Sequence, residues 1–178
     1  MRPPASPPSS PTPCAWAISL ARESGLQRPA TGWWQDPHWR LACWAALPVW
    51  VALALLAGPH LRAPASAWAW ASLVLVQPLL EELVMRGLVQ GLALSLTLRH
   101  GAALRLGPLS VANGLTTALF VALHLPHQPL AWALAVALPS LVLGHLRERL
   151  GSVWPGVLLH AIYNLGFGLV AWGTRLLA

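Results

Sequence analysis

The chain has 178 residues, 56% of them hydrophobic, with a mean hydropathy of +0.58 and only 9% charged. That profile excludes an ordinary soluble domain and points to an all-α, polytopic transmembrane helical bundle of about five to six spans at roughly 20 residues each. The formal charge of +6 rests wholly on arginine. Without a basic cluster interleaved with aromatics, it reads as the loops of a membrane protein in contact with the lipid bilayer, with no nucleic-acid partner.

Met1 to Pro13 is rich in proline and serine and is expected to lack fixed structure. The apolar stretch Ala15 to Leu20 is too short for a cleaved secretory signal, and Arg22-Glu23 interrupts it. Residues 1–38 are therefore expected to form a flexible Pro-rich cytoplasmic tail, and residues 39–178 the intramembrane domain. Cys14 falls in the tail and Cys43 in an apolar run, which favours neither a disulfide nor a zinc–cysteine site. Trp33, Trp34, Trp39 and Trp44 mark the first membrane boundary as an aromatic belt.

The first expected span is Leu41 to Ala57, kinked at Pro48 and ended by Gly58-Pro59-His60. A second apolar segment starts near Ala65 and continues past Glu81-Glu82 to Leu98. As one helix it would be about 50 Å long, too long for an upright crossing of a roughly 30 Å core, so it must tilt, kink or break near Pro78. The third span is Leu109 to Leu125 and the fourth Leu130 to Leu146. Beyond it, Arg147-Glu148-Arg149 is read as a charged loop, with His145 and Glu148 at a solvated interface. The fifth is Val153 to Trp172, with Pro155 suited to its first turn. Five crossings with the amino terminus inside place Arg2, Arg22, Arg28, Arg40, Arg99, Arg105, Arg147 and Arg149 in the cytoplasm, and only Arg62 and Arg175 outside.

Polar groups on the apolar segments carry the chemistry. Glu81 and Glu82 are two of only five acidic residues. A carboxylate at bilayer depth costs about 2.5–3.5 kcal/mol on insertion scales, which makes it a functional-site candidate by default. Glu82 and Arg86 are four apart on one helix face and can pair, whereas Glu81 is turned away by about 100° and needs another partner. Phe120 and His124, then His160 and Asn164, repeat the four-residue spacing on two further segments. Taken singly, each histidine is more readily a satisfied core or interfacial residue, Asn164 an interhelical hydrogen bond, and Phe120 packing. Asn113, Thr116 and Thr117 read as helix contacts in the same way. Together, a carboxylate, two imidazoles and a carboxamide from three segments are the parts needed to activate water and hold an oxyanion.

The series Glu-Glu-x-x-x-Arg, Phe-x-x-x-His and His-x-x-x-Asn, in this order on hydrophobic helices, resembles the CPBP intramembrane proteases. That family includes the CAAX prenyl endoproteases and the bacteriocin-processing and immunity-associated proteins once called Abi. The resemblance runs over about Pro78 to Gly166. It implies a glutamate-dependent endopeptidase in which Glu81 and His124 activate the hydrolytic water. His160 and Asn164 would then stabilise the oxyanion, with Glu82, Arg86 and Phe120 in support. It also implies a membrane-associated protein or peptide substrate and a place in the bacterial inner (plasma) membrane. The compact chain is similar to small members paired with protein sorting, of which the JDVT-CTERM type is one. No cofactor is favoured, because a His-Glu-x-x-His motif is lacking; zinc on Glu81, His124 and His160 is the metal-dependent alternative. Two other classes stand beside the protease reading: a catalytically silent relative acting as an immunity or scaffold protein, and a small transporter, which would show flux without cleavage.

Overall fold

A computed structural model describes residues 23–58, 61–99 and 105–177. Helix α1, Pro37–Ala57, starts where Asp36 accepts hydrogen bonds from the backbone N–H groups of His38 and Trp39, with proline in the first turn. Pro48 lies inside α1 without ending it. The expected Cys14 and residues 1–22 of the expected tail lie outside the described residues. Residues 23–27 of that tail are ordered against residues 147–154. Val153 N–H donates to Gly25 O, Trp154 Nε1 to Leu26 O, Ser152 Oγ to Gln27 O and Arg147 to Glu23 O.

The long second segment neither breaks nor leaves the helical path at Pro78. It runs as α2 (Ala67–Ala71), a π-helical stretch π1 (Ser72–Val76), α3 (Gln77–Glu81), a second stretch π2 (Glu82–Val89) and α4 (Gln90–Arg99). The residues at each junction keep right-handed helical dihedrals. A proline inside an α-helix lacks a donor, and its ring collides with the carbonyl one turn back. The wider turn of π1 just before Pro78 accommodates both effects, and Gln77 N–H bonds to Ser72 O across it.

A short antiparallel pair follows, β1 (Arg105–Leu106) and β2 (Leu109–Ser110), with Arg105 opposite Ser110. Helix α5, Val111–His124, is capped by the Ser110 hydroxyl, which accepts from Asn113 N–H. The fourth segment divides into α6 (Leu130–Ala135) and α7 (Ala137–Leu150). Pro139 cannot bond to the Ala135 carbonyl, and this explains the interruption at Val136. Helix α8 spans Trp154–Leu177. The Arg147-Glu148-Arg149 run, expected as a solvated loop, is instead the last turn of α7. Arg147 there is buried beneath the amino-terminal segment.

Three helical stretches among the described residues are long and apolar enough to cross a membrane: Pro37–Ala57, Leu130–Leu150 and Trp154–Leu176. The fold is an all-α membrane bundle, as expected. Its outer faces carry leucines such as Leu55, Leu56, Leu88 and Leu138, all well exposed, as lipid-facing positions require. Close approach of α1 and α8 depends on Gly166, where a Cβ would run into the Trp50 ring. Packing of α5 on α7 depends likewise on Gly144, which lies against the Asn113 carboxamide.

Candidate active site

The glutamate pair sits where α3 passes into π2, at the middle of the long helix. Adjacent positions on a helix point about 100° apart, and the two carboxylates accordingly have different surroundings. Glu82 is 1% exposed; its Oε2 lies 3.4 Å from Arg86 Nε, close enough to pair but not aligned as a hydrogen bond. Glu81 keeps about a third of its side chain accessible. His160, from α8, stands between them. Its Nδ1 is 3.1 Å from Glu82 Oε1 and its Nε2 is 3.7 Å from Glu81 Oε2. A carboxylate oxygen can only accept, which assigns the proton of the shorter contact to Nδ1. Gly156, one turn before His160, admits this approach, because a Cβ there would come within 3.1 Å of Glu82 Oε2.

His124 is the last residue of α5. Its Nδ1 lies 2.8 Å from Phe120 O, and a carbonyl accepts, so Nδ1 carries the proton and Nε2 is free to take one. The Phe120 ring packs against the imidazole at a centroid separation of 4.4 Å, and the Arg86 guanidinium carbon lies 5.8 Å from the same ring. His124 and His160 both act electrostatically on the Glu81 carboxylate. The two histidines stand at different distances from their helix starts.

Asn164 lies one turn beyond His160. Its Nδ2 donates to Leu73 O at 2.9 Å. In the wide register of π1, Leu73 O is the carbonyl that an N–H at position 78 would take, and Pro78 has none. The carboxamide thus satisfies the acceptor that the proline leaves open, with one of its two N–H donors still to spend.

The family model for type II CAAX prenyl endopeptidase Rce1-like proteins matches residues 63–166. The chain belongs to this family. No curated protein and no solved structure matches it. Rce1-like proteins are intramembrane endopeptidases, and the apolar helices make this member a membrane protein acting on a protein substrate. The matched range includes Glu81, Glu82, Arg86, Phe120, His124, His160 and Asn164. Among the described residues no group of three or more His, Cys, Asp or Glu side chains is placed to hold a metal ion.

Sequence reading passed over Ser140, Gln90 and Ser110, which join the polar contacts around the candidate site. Arg86 Nη2 donates to Ser140 Oγ at 2.8 Å, and Ser140 Oγ lies 2.9 Å from Thr117 Oγ1. Gln90 Nε2 donates to Gly144 O and to Glu148 Oε1, and Glu148 also accepts from Ser110. Asn113 Nδ2 donates to Leu141 O. The available signal was polar residues one helical turn apart within apolar segments, such as Asn113 with Thr117 and Arg86 with Gln90. Asn113 and Thr117 do act as the helix contacts expected of them.

Proposed function

We propose that the chain is a glutamate-dependent intramembrane endopeptidase that cleaves a membrane-associated or C-terminally anchored protein. The observation that carries this reading is the position of His160 between Glu81 and Glu82, with His124 within electrostatic range of the more accessible of the two carboxylates. Glu82 is committed to Arg86 and His160, which leaves Glu81 as the carboxylate open to a water and a substrate.

Glu81 takes a proton from water as the oxygen attacks the scissile carbonyl carbon, while His124 Nε2 accepts the water's other hydrogen bond and fixes its direction. The carbonyl oxygen gains the displaced electron pair. His160 Nε2, when protonated, and the second N–H of Asn164 are the donors for that oxyanion. Collapse of the tetrahedral intermediate breaks the C–N bond, and Glu81 returns its proton to the leaving amine. Arg86 and Phe120 hold Glu82 and His124 in place. No step passes through a metal.

Glu81→Gln keeps the shape of the side chain and removes the base. It is expected to leave the protein in the membrane and to abolish cleavage of a co-expressed anchored reporter, read by immunoblot. His124→Ala is expected to do the same. Full cleavage by the Glu81 variant would end the general-base assignment, and inhibition by a chelator that zinc reverses would move the chemistry to a metal. The sorting-associated, JDVT-CTERM-like substrate class predicts that a deletion strain accumulates an uncleaved anchored precursor.

The proposed orientation has the amino terminus in the cytoplasm of a bacterium and the protein in its inner membrane. Supporting it, the Asp36–Arg149 and Arg105–Glu148 ion pairs and the Arg147 contact gather arginines at one end of the bundle. The contact between Thr174 and Gly58 marks the opposite end, toward Arg62 and Arg175.

A further inference from the structure

We infer that Ser140 on α7 is a positioning residue for the site, acting through Arg86 and Glu82 on the ring of His160. The inference rests on the endopeptidase reading for its kinetic consequence, but its structural part stands alone. Arg86 is fully buried, and a guanidinium presents five N–H donors in a fixed plane. Its Nη1 and Nε make no hydrogen bond, so the bond from Nη2 to Ser140 Oγ is the one that fixes the plane.

Beyond Ser140 the buried polar contacts continue. Ser140 accepts from Arg86 and shares a hydrogen bond of 2.9 Å with Thr117 Oγ1, in which either hydroxyl can donate. Thr117 Oγ1 lies 3.5 Å from Asn113 Oδ1, and Asn113 Nδ2 donates to Leu141 O. All four side chains are buried, where a hydroxyl has no water to take the place of a lost partner. On the other side of the guanidinium, Nε faces Glu82 Oε2, and Glu82 Oε1 receives Nδ1–H of His160. Rotation of the guanidinium would move the carboxylate that selects the His160 proton position. It would thereby change what Nε2 presents toward Glu81.

The test uses the full chain in detergent or nanodiscs, with Ser140→Ala, Ser140→Thr and Thr117→Val variants. One readout is the ¹⁵N chemical shifts of His160 at a single fixed pH, assigned by comparison with His160→Gln. The other is turnover of a quenched fluorogenic peptide ending in a prenylated CAAX box. Ser140→Ala is expected to shift His160 away from its Nδ1-protonated form. It should also lower kcat about tenfold or more with KM nearly unchanged, because small displacements of catalytic groups cost rates of this order. Ser140→Thr, which keeps the hydroxyl, is expected to restore most of both. Unchanged His160 shifts and wild-type kcat per folded molecule in Ser140→Ala would overturn the inference, whatever happens to its yield. Should Ser140→Ala not accumulate, Thr117→Val carries the same two readouts in the same direction, and no change in either overturns it. If the wild-type protein fails to cleave the peptide, the endopeptidase reading loses support on that substrate, and the His160 shifts alone decide the role of Ser140.

Discussion

Adjacent glutamates in one helix differ here by burial and partner, and that difference separates stability from chemistry. Glu82 is 1% exposed and faces Arg86 and His160. Removing one member of a buried ion pair leaves the other charged and unpaired, at a cost of about 3–5 kcal/mol. Glu82→Gln is therefore expected to destabilise the folded protein in detergent by that order, read as a lower yield and a lower unfolding midpoint. Glu81, about one-third exposed and unpaired with Arg86, should tolerate the same substitution within about 1 kcal/mol. Equal destabilisation by the two variants would contradict this division. Both carboxylates, Arg86 and the two histidines were visible in the sequence, because charge in an apolar run is rare enough to stand out. Ser140 was not. A serine in a membrane helix is unremarkable until the guanidinium that uses it is seen opposite.

At the scale of an element, the start of α1 carries the clearest pH dependence. Burial pushes the Asp36 carboxyl upward, but the Arg149 guanidinium and the N–H groups of Trp39 and His38 outweigh it and hold the carboxyl below its ordinary value of 3.8. A group whose folded value is the lower one stabilises fully above its unfolded value, and that contribution is lost as pH falls through the folded one. Wild-type protein is therefore expected to be more heat-stable than Asp36→Asn at neutral pH, with the gap closing as pH falls below the ordinary carboxyl value of 3.8 and through the lower folded one. Asparagine is an equally good cap, so the difference reports the charge. A gap independent of pH would assign the effect to something other than the Arg149 pair. The long helix shows a related limit of sequence reading. Its length and the proline were plain, and tilt, kink and break were all open. The π-turn before Pro78 became the solution only because Asn164, from α8, is there to take the Leu73 carbonyl.

Across the whole molecule, the amino-terminal segment, the β1–β2 turn and the α7–α8 corner gather at one end of the bundle. Single cysteines at Arg28 and Arg62, in a Cys14→Ser/Cys43→Ser background, should label oppositely with a membrane-impermeant maleimide in intact cells. Position 62 reacts and position 28 does so only after lysis. Labelling in the reverse order would invert the proposed orientation.

Hydropathy and the order of polar residues by themselves determined that this chain is a helical membrane protein, which polar side chains are candidates for its chemistry, and which pairs share a helix face. Those are one-dimensional properties: apolar length sets a span, and four-residue spacing sets a face. Only the tertiary structure decided that Glu81 and Glu82 flank one imidazole, that residues 23–27 are bound to the α7–α8 corner, and that Arg86 is held by a serine more than fifty positions away. Contacts between distant segments depend on how helices cross and where they begin, and periodicity along one helix carries no information about its neighbour.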